Sequence, residues 1–98
     1  MKNKNPITKG SVFDDLGFDP VETENLKIRA ALMLAVEQEI KKRKLTQSKA
    51  ATLLNVTQPR ISDLMRGKIQ LFTIDALVSM LTQLNVHVSL VIDNRLAA

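Results

Sequence analysis

Eight cations, Lys41, Lys42, Arg43, Lys44, Lys49, Arg60, Arg66 and Lys68, fall within one stretch that holds a single acid, Asp63. Eight bases against one acid give positions 41–68 a charge of +7, while six bases and nine acids elsewhere leave the rest at −3, for the chain's +4. Charge concentrated in this way suits the neutralisation of a polyanion's phosphates. Phe13, Phe18 and Phe72 are the whole aromatic content, with no Trp or Tyr, so the chain has little with which to stack unpaired bases. Duplex DNA is therefore the better-matched polyanion.

Other chemistry has few candidates. His87 is the single histidine, and no acid or hydroxyl stands at a local spacing that would make it one of a catalytic pair. Asp14-Asp15 and Glu37-Glu39 miss the three- or four-residue spacing that places two carboxylates on one helix face. There is no Gly-rich phosphate loop, and the absence of cysteine removes thiolate zinc sites and redox chemistry. The expectation is a protein that is not an enzyme and takes no cofactor or metal. No apolar run approaches the roughly 20 residues of a membrane helix, and the polar start MKNKNPITKG is unlike a signal peptide. A cytoplasmic protein with no membrane partner is expected.

The basic stretch must be carried by defined elements, and its punctuation supplies them. Thr46 stands where a short helix Gln47 to Leu54 needs its N-cap, Asn55 tolerates the left-handed turn that ends it, and Thr57 caps a second helix running to about Arg66 before Gly67 stops it. Ala50, Ala51, Leu54, Val56, Ile61 and Leu64 give the two helices a shared core. Ala51 in particular allows close approach at a steep crossing.

Elements on either side complete the domain. Asp19-Pro20 opens a helix that can run to Lys44, with Leu26, Ala30, Met33, Leu34 and Glu37 on one flank and Leu32, Val36 and Ile40 as a second row, so that its middle is largely buried. Lys41 to Lys44 then lie at a helix C-terminus, where one or two could meet phosphate. Thr73 caps Ile74 to Leu84, whose Ile74, Leu77, Val78, Leu81 and Leu84 form a core stripe, and Asn85 ends it. Val86 to Ile92 changes to period two and reads as a strand. A lone strand needs a partner, so Val86, Val88 and Leu90 are expected to form a homodimer contact, with pairing to Val12 and Phe13 of the same chain as the competing arrangement. Residues 1–19 make a flexible arm and an apolar segment, 20–85 the domain, and 86–98 the strand and tail.

The pair TQSKAATLLNV and TQPRISDLMRG resembles the Cro/repressor-type, XRE-like helix-turn-helix, closely over Leu45 to Gly67 and loosely in the flanking helices. The resemblance implies an all-α, four- to five-helix repressor-like domain whose second short helix enters the major groove, and together with the C-terminal strand used for dimerisation it leads to the expectation of a palindromic operator. Thr57, Gln58, Arg60 and Ser62 then lie near the exposed start of that helix, Gln suited to adenine and Arg to guanine. Gln47 takes the place that in the family holds a phosphate, with Lys49, Arg66 and Lys68 as further cations. Two positions depart from the family. Asn55 replaces the usual turn Gly, and Pro59 disfavours helix in the residue before it, which would put Gln58 just outside the helix.

SVFDDLGF ahead of the first helix, the short length and the lack of an effector domain look similar to HigA-type antitoxins, which bind a toxin ribonuclease and repress their own operon. In that reading Val12, Phe13, Leu16 and Phe18 anchor a toxin, with Asp14, Asp15, Asp19, Glu22 and Glu24 facing its basic surface; the plainer alternative is that the four apolar residues dock on the chain's own core. A stand-alone phage or chromosomal repressor is the alternative. From another class comes a protein-interaction adaptor that never touches DNA.

Overall fold

The computed structural model describes residues 19–94, in which four α-helices follow one another: α1 Pro20–Lys42, α2 Gln47–Leu54, α3 Gln58–Met65 and α4 Ile74–Gln83. A 3-10 turn, Ile69–Leu71, leads from α3 toward α4. Every helix start carries the side chain that its unpaired N–H groups require. The Asp19 carboxylate accepts from the Val21 N–H at 3.1 Å. Thr46, Thr57 and Thr73 accept from the N–H three residues on, of Lys49, Arg60 and Ala76, at 3.1, 3.4 and 3.1 Å.

All four helices also end in one way. Lys44, Asn55, Gly67 and Asn85 take positive φ, at 55°, 58°, 72° and 61°. The residue after each donates its N–H five residues back, Leu45 to Ile40 at 3.0 Å, Val56 to Ala51 at 2.9 Å, Lys68 to Asp63 at 3.1 Å and Val86 to Leu81 at 2.8 Å. These are Schellman closures, which satisfy carbonyls that a helix end would otherwise leave bare. In three of them the donor is apolar, and Leu45, Val56 and Val86 pack against the core from these positions. The reversal at Lys44 also explains why α1 stops at Lys42 rather than running on to Lys44 as expected.

One core serves all four helices. Met33, Val36 and Ile40 of α1 meet Leu77, Met80 and Leu81 of α4 together with Leu84, while Ala50, Ala51 and Leu54 of α2 pack with Ile61 and Leu64 of α3, and Phe72 fills the remaining space. The small side chains of Ala50 and Ala51 are both buried, as a close helix crossing demands. The middle of α1 is less enclosed than its sequence suggests, since Leu34 is 52% exposed and Leu26 and Leu32 are half-buried. Leu34 follows Met33 by one residue, hence by about 100° of rotation, which turns it away from the row formed by Met33, Val36 and Ile40.

The expected C-terminal strand is not formed among the described residues, where 86–94 carry neither helix nor sheet pairing. A strand requires a neighbour for its N–H and C=O groups, and the described part of this chain offers none. The alternation does hold at first. Val86 and Val88 turn toward the core while His87 and Ser89 face outward, and then Leu90, Val91 and Ile92 leave the domain at 78%, 91% and 82% exposure. Val12, Phe13, Leu16 and Phe18 lie outside the described residues.

Candidate DNA interface

The interface is built on α2 and α3, which pack directly on each other across the three-residue turn Asn55 to Thr57. Ile61 and Leu64 fix which side of α3 is inward, because both are buried. At about 100° per residue, Gln58, Ser62, Arg66 and Pro59 then share one arc of about 100°, centred about 140° from the buried direction, with Gln58 at its edge. Gln58, Pro59 and Arg66 are exposed and Ser62 is half-buried. Gln58 is itself the first residue of α3, not outside it as Pro59 suggested. Proline in the first turn lacks only an N–H that has no partner within the helix, and the Thr57 cap holds the turn in place.

Thr57 is exposed and its hydroxyl oxygen is engaged in the cap, which leaves its O–H to donate outward. Gln47 opens α2, exposed beside the Thr46 cap, so its side chain and the first backbone N–H groups of α2 face the same solvent. Such a helix start favours a phosphate oxygen.

The eight cations divide into two groups. Lys41 lies 4.0 Å from Glu37, Lys42 lies 4.0 Å from Glu39, and Arg43 pairs with Glu39 at 3.2 Å while also donating to the carbonyl of Leu84. Lys68 pairs with Asp63, the acid of the stretch, at 3.6 Å. Arg60 is the largest departure from expectation. Its guanidinium donates to the Leu71 carbonyl at 2.7 Å and sits over the Phe72 ring, 4.0 Å from the centroid. Among the described residues, Lys44, Lys49 and Arg66 are exposed and in no ion pair, which leaves their charge directed at solvent.

Sequence reasoning missed two residues that bear on this surface. Pro59 presents an apolar ring beside Gln58, and apolar contact with a thymine methyl is one way that a major groove is read. Arg29 of α1 donates to the Ile69 carbonyl at 3.1 Å, steadying from the other side the same linker that Arg60 holds. No spacing rule finds Arg29, whose acceptor is a backbone carbonyl 40 residues away.

No described helix is long and apolar enough to cross a membrane. Residues 12–93 match the model of a family described as a helix-turn-helix domain. Among solved structures, an XRE family transcriptional regulator superimposes with a TM-score of 0.69 at 29% identity, over 74% of this chain and 81% of that one. No curated protein matches the sequence.

Proposed function

The chain belongs to the helix-turn-helix domain family, and from that premise we propose that it is a transcription regulator that binds duplex DNA through α3. The observation that carries this reading is the outward face of α3, where exposed Gln58 and Pro59 lie beside half-buried Ser62, with no side-chain hydrogen bond or ion pair to them among the described residues. Gln58 and Ser62 supply hydrogen-bonding groups for base edges, and Pro59 an apolar surface. Gln47, Thr57, Lys44, Lys49 and Arg66 supply contacts to the phosphates on either side, and Lys68 joins them once it leaves Asp63. Arg66 follows Gln58 by eight residues, about 12 Å along a helix, which is close to the width of the major groove. With Gln58 at a base edge, Arg66 stands far enough along to reach toward the phosphate backbone.

The regulator acts as a repressor on a palindromic operator, as a homodimer. Val86 and Val88, expected in the dimer contact, pack on their own core instead, so support for the dimer comes from Leu90, with Val91 and Ile92 beside it, apolar and exposed on a backbone with no sheet partner among the described residues. Pairing with the same segment of a second copy about a two-fold axis would satisfy the facing edge of each strand and set Leu90 and Ile92, which share a face, against their counterparts. Two readers would then stand roughly 34 Å apart.

The finer reading is an antitoxin that represses its own operon. Its support is the charge pattern: residues 14–24 carry five acids and no base, opposite in sign to 41–68. One chain can then hold a cationic toxin at one end and DNA at another.

A fluorescence-anisotropy titration against operator DNA between 50 and 200 mM salt tests the primary reading. A dimer that neutralises about 6 to 10 phosphates loses roughly three to five decades of affinity across that range. A flat response leaves the adaptor reading in its place.

A further inference from the structure

Arg60 stands in the first turn of α3, two residues after Gln58, where an arginine would be taken for a reader of guanine. Its surroundings assign it elsewhere. At about 100° per residue it lies some 40° from the buried Leu64 and on the far side of the helix axis from Ser62 and Arg66. It is half-buried where Gln58 and Pro59 are exposed. The guanidinium is engaged twice, by the Leu71 carbonyl at 2.7 Å and by the Phe72 ring at 4.0 Å.

Both partners belong to the linker between α3 and α4, and Phe72 is the large buried side chain that anchors that linker. Arg29 reaches the same linker from α1 at the Ile69 carbonyl, and Asn25 steadies it by accepting from its Nε at 2.6 Å. The linker is thus held by one arginine from the long helix and one from the reader. α3 has only eight residues, so few core side chains fix its tilt. A planar cation pinned between a carbonyl and a ring restrains that tilt in a way that Ile61 and Leu64 alone do not.

We infer that Arg60 is a positioning residue, which clamps α3 to the linker at Leu71 and Phe72 and so sets the angle at which Gln58, Pro59 and Ser62 meet DNA. This rests on the DNA-binding reading above and adds to it which residues read and which one aims them. To enter the groove, Arg60 would have to leave both partners and cross the helix face, exposing the Phe72 ring as it went.

The test is a binding-preference profile from a pool of randomised duplexes, measured at one salt concentration for the wild-type chain and for Arg60→Ala, Phe72→Leu and the double variant. Leu keeps the linker anchored in the core but offers no ring face. A clamp predicts that Arg60→Ala loses preference by roughly tenfold spread over the several base pairs read by α3. It also predicts that Phe72→Leu shifts the profile in the same way, and that the double variant adds little to either. Loss confined to a single base pair in Arg60→Ala, with the others intact, would make Arg60 a direct reader and overturn the inference.

Hydrogen exchange on the protein alone gives a second reading that survives if Phe72→Leu does not fold. The amides of Leu71 and Phe72 should exchange at least several-fold faster in Arg60→Ala, and unchanged exchange there counts against the clamp. A wild-type chain without salt-dependent binding would overturn the DNA reading and this inference with it. A wild-type chain that binds, beside a single-pair loss in the variant, overturns the inference alone.

Discussion

Arg43, near the C-terminus of α1, donates to the backbone carbonyl of Leu84 at the C-terminus of α4, and its Nε lies 3.2 Å from Glu39 on its own helix. The contact ties together the ends of the two helices that form the main packing pair. Arg43 is one of four consecutive cations, yet this geometry gives it a structural task and turns it away from phosphate. Arg43→Ala should therefore lower stability by about 1 kcal/mol, a charged hydrogen bond discounted for partial exposure. Operator affinity at a temperature where both proteins are folded should hardly change. Calorimetry beside a binding titration checks both halves.

Lys49→Ala and Arg66→Ala should weaken binding to every duplex alike, and each should reduce the slope of log affinity against log salt by about 1 per protomer, hence about 2 for a bound dimer. Gln58→Ala should instead cost about 1 to 3 kcal/mol of discrimination at one base pair and leave the salt slope intact. Titrations of specific and random duplexes at several salt concentrations separate the two behaviours. Equal effects of all three substitutions on both kinds of DNA would mean that α3 does not face the groove.

Leu90→Asp combined with Ile92→Asp should convert the proposed dimer to a folded monomer. Both side chains are largely exposed, so the single-chain fold loses no packing, while a paired strand across a two-fold axis would gain four buried carboxylates. Sedimentation velocity reads the result, with circular dichroism to confirm unchanged helix content. A dimer that persists would show that the C-terminal segment is not the interface.

For the antitoxin reading, a Phe13→Ala, Phe18→Ala variant should keep its melting temperature and operator binding. It should fail to co-purify with the product of the neighbouring gene or to protect cells from it. Interface aromatics of this kind contribute about 2 kcal/mol or more each. Early melting of the variant would instead make both residues part of the domain's own core, and the protein would be an ordinary repressor.

The local signals in the sequence carried most of the helix boundaries, because a threonine cap acts three residues away and a left-handed stop acts on its own residue. Thr46, Thr57 and Thr73 cap as their positions suggested, and Asn55, Gly67 and Asn85 end their helices. Signals that depend on distant partners were not legible. Nothing in the sequence shows that Arg60 contacts Leu71 and Phe72, eleven and twelve residues on. Leu34 looks like core until Met33 is seen to take the inward place. The period-two pattern of 86–92 marks side-chain alternation correctly at Val86 and Val88, but it cannot supply the neighbouring strand that would make the segment a sheet.

Lys44 has φ of 55° where Gly67, at φ 72°, performs the same backbone reversal without a side chain. The left-handed conformation costs a residue with a Cβ about 1 to 2 kcal/mol relative to the right-handed one. Lys44 nonetheless keeps its cation exposed and in no ion pair among the described residues, immediately before the α2 cap. Lys44→Gly should thus give a protein that melts several degrees higher and holds DNA less tightly, two changes of opposite sign from one residue. A screen for heat resistance alone would select the weaker DNA binder, so selection for affinity and selection for robustness would pull this turn in opposite directions.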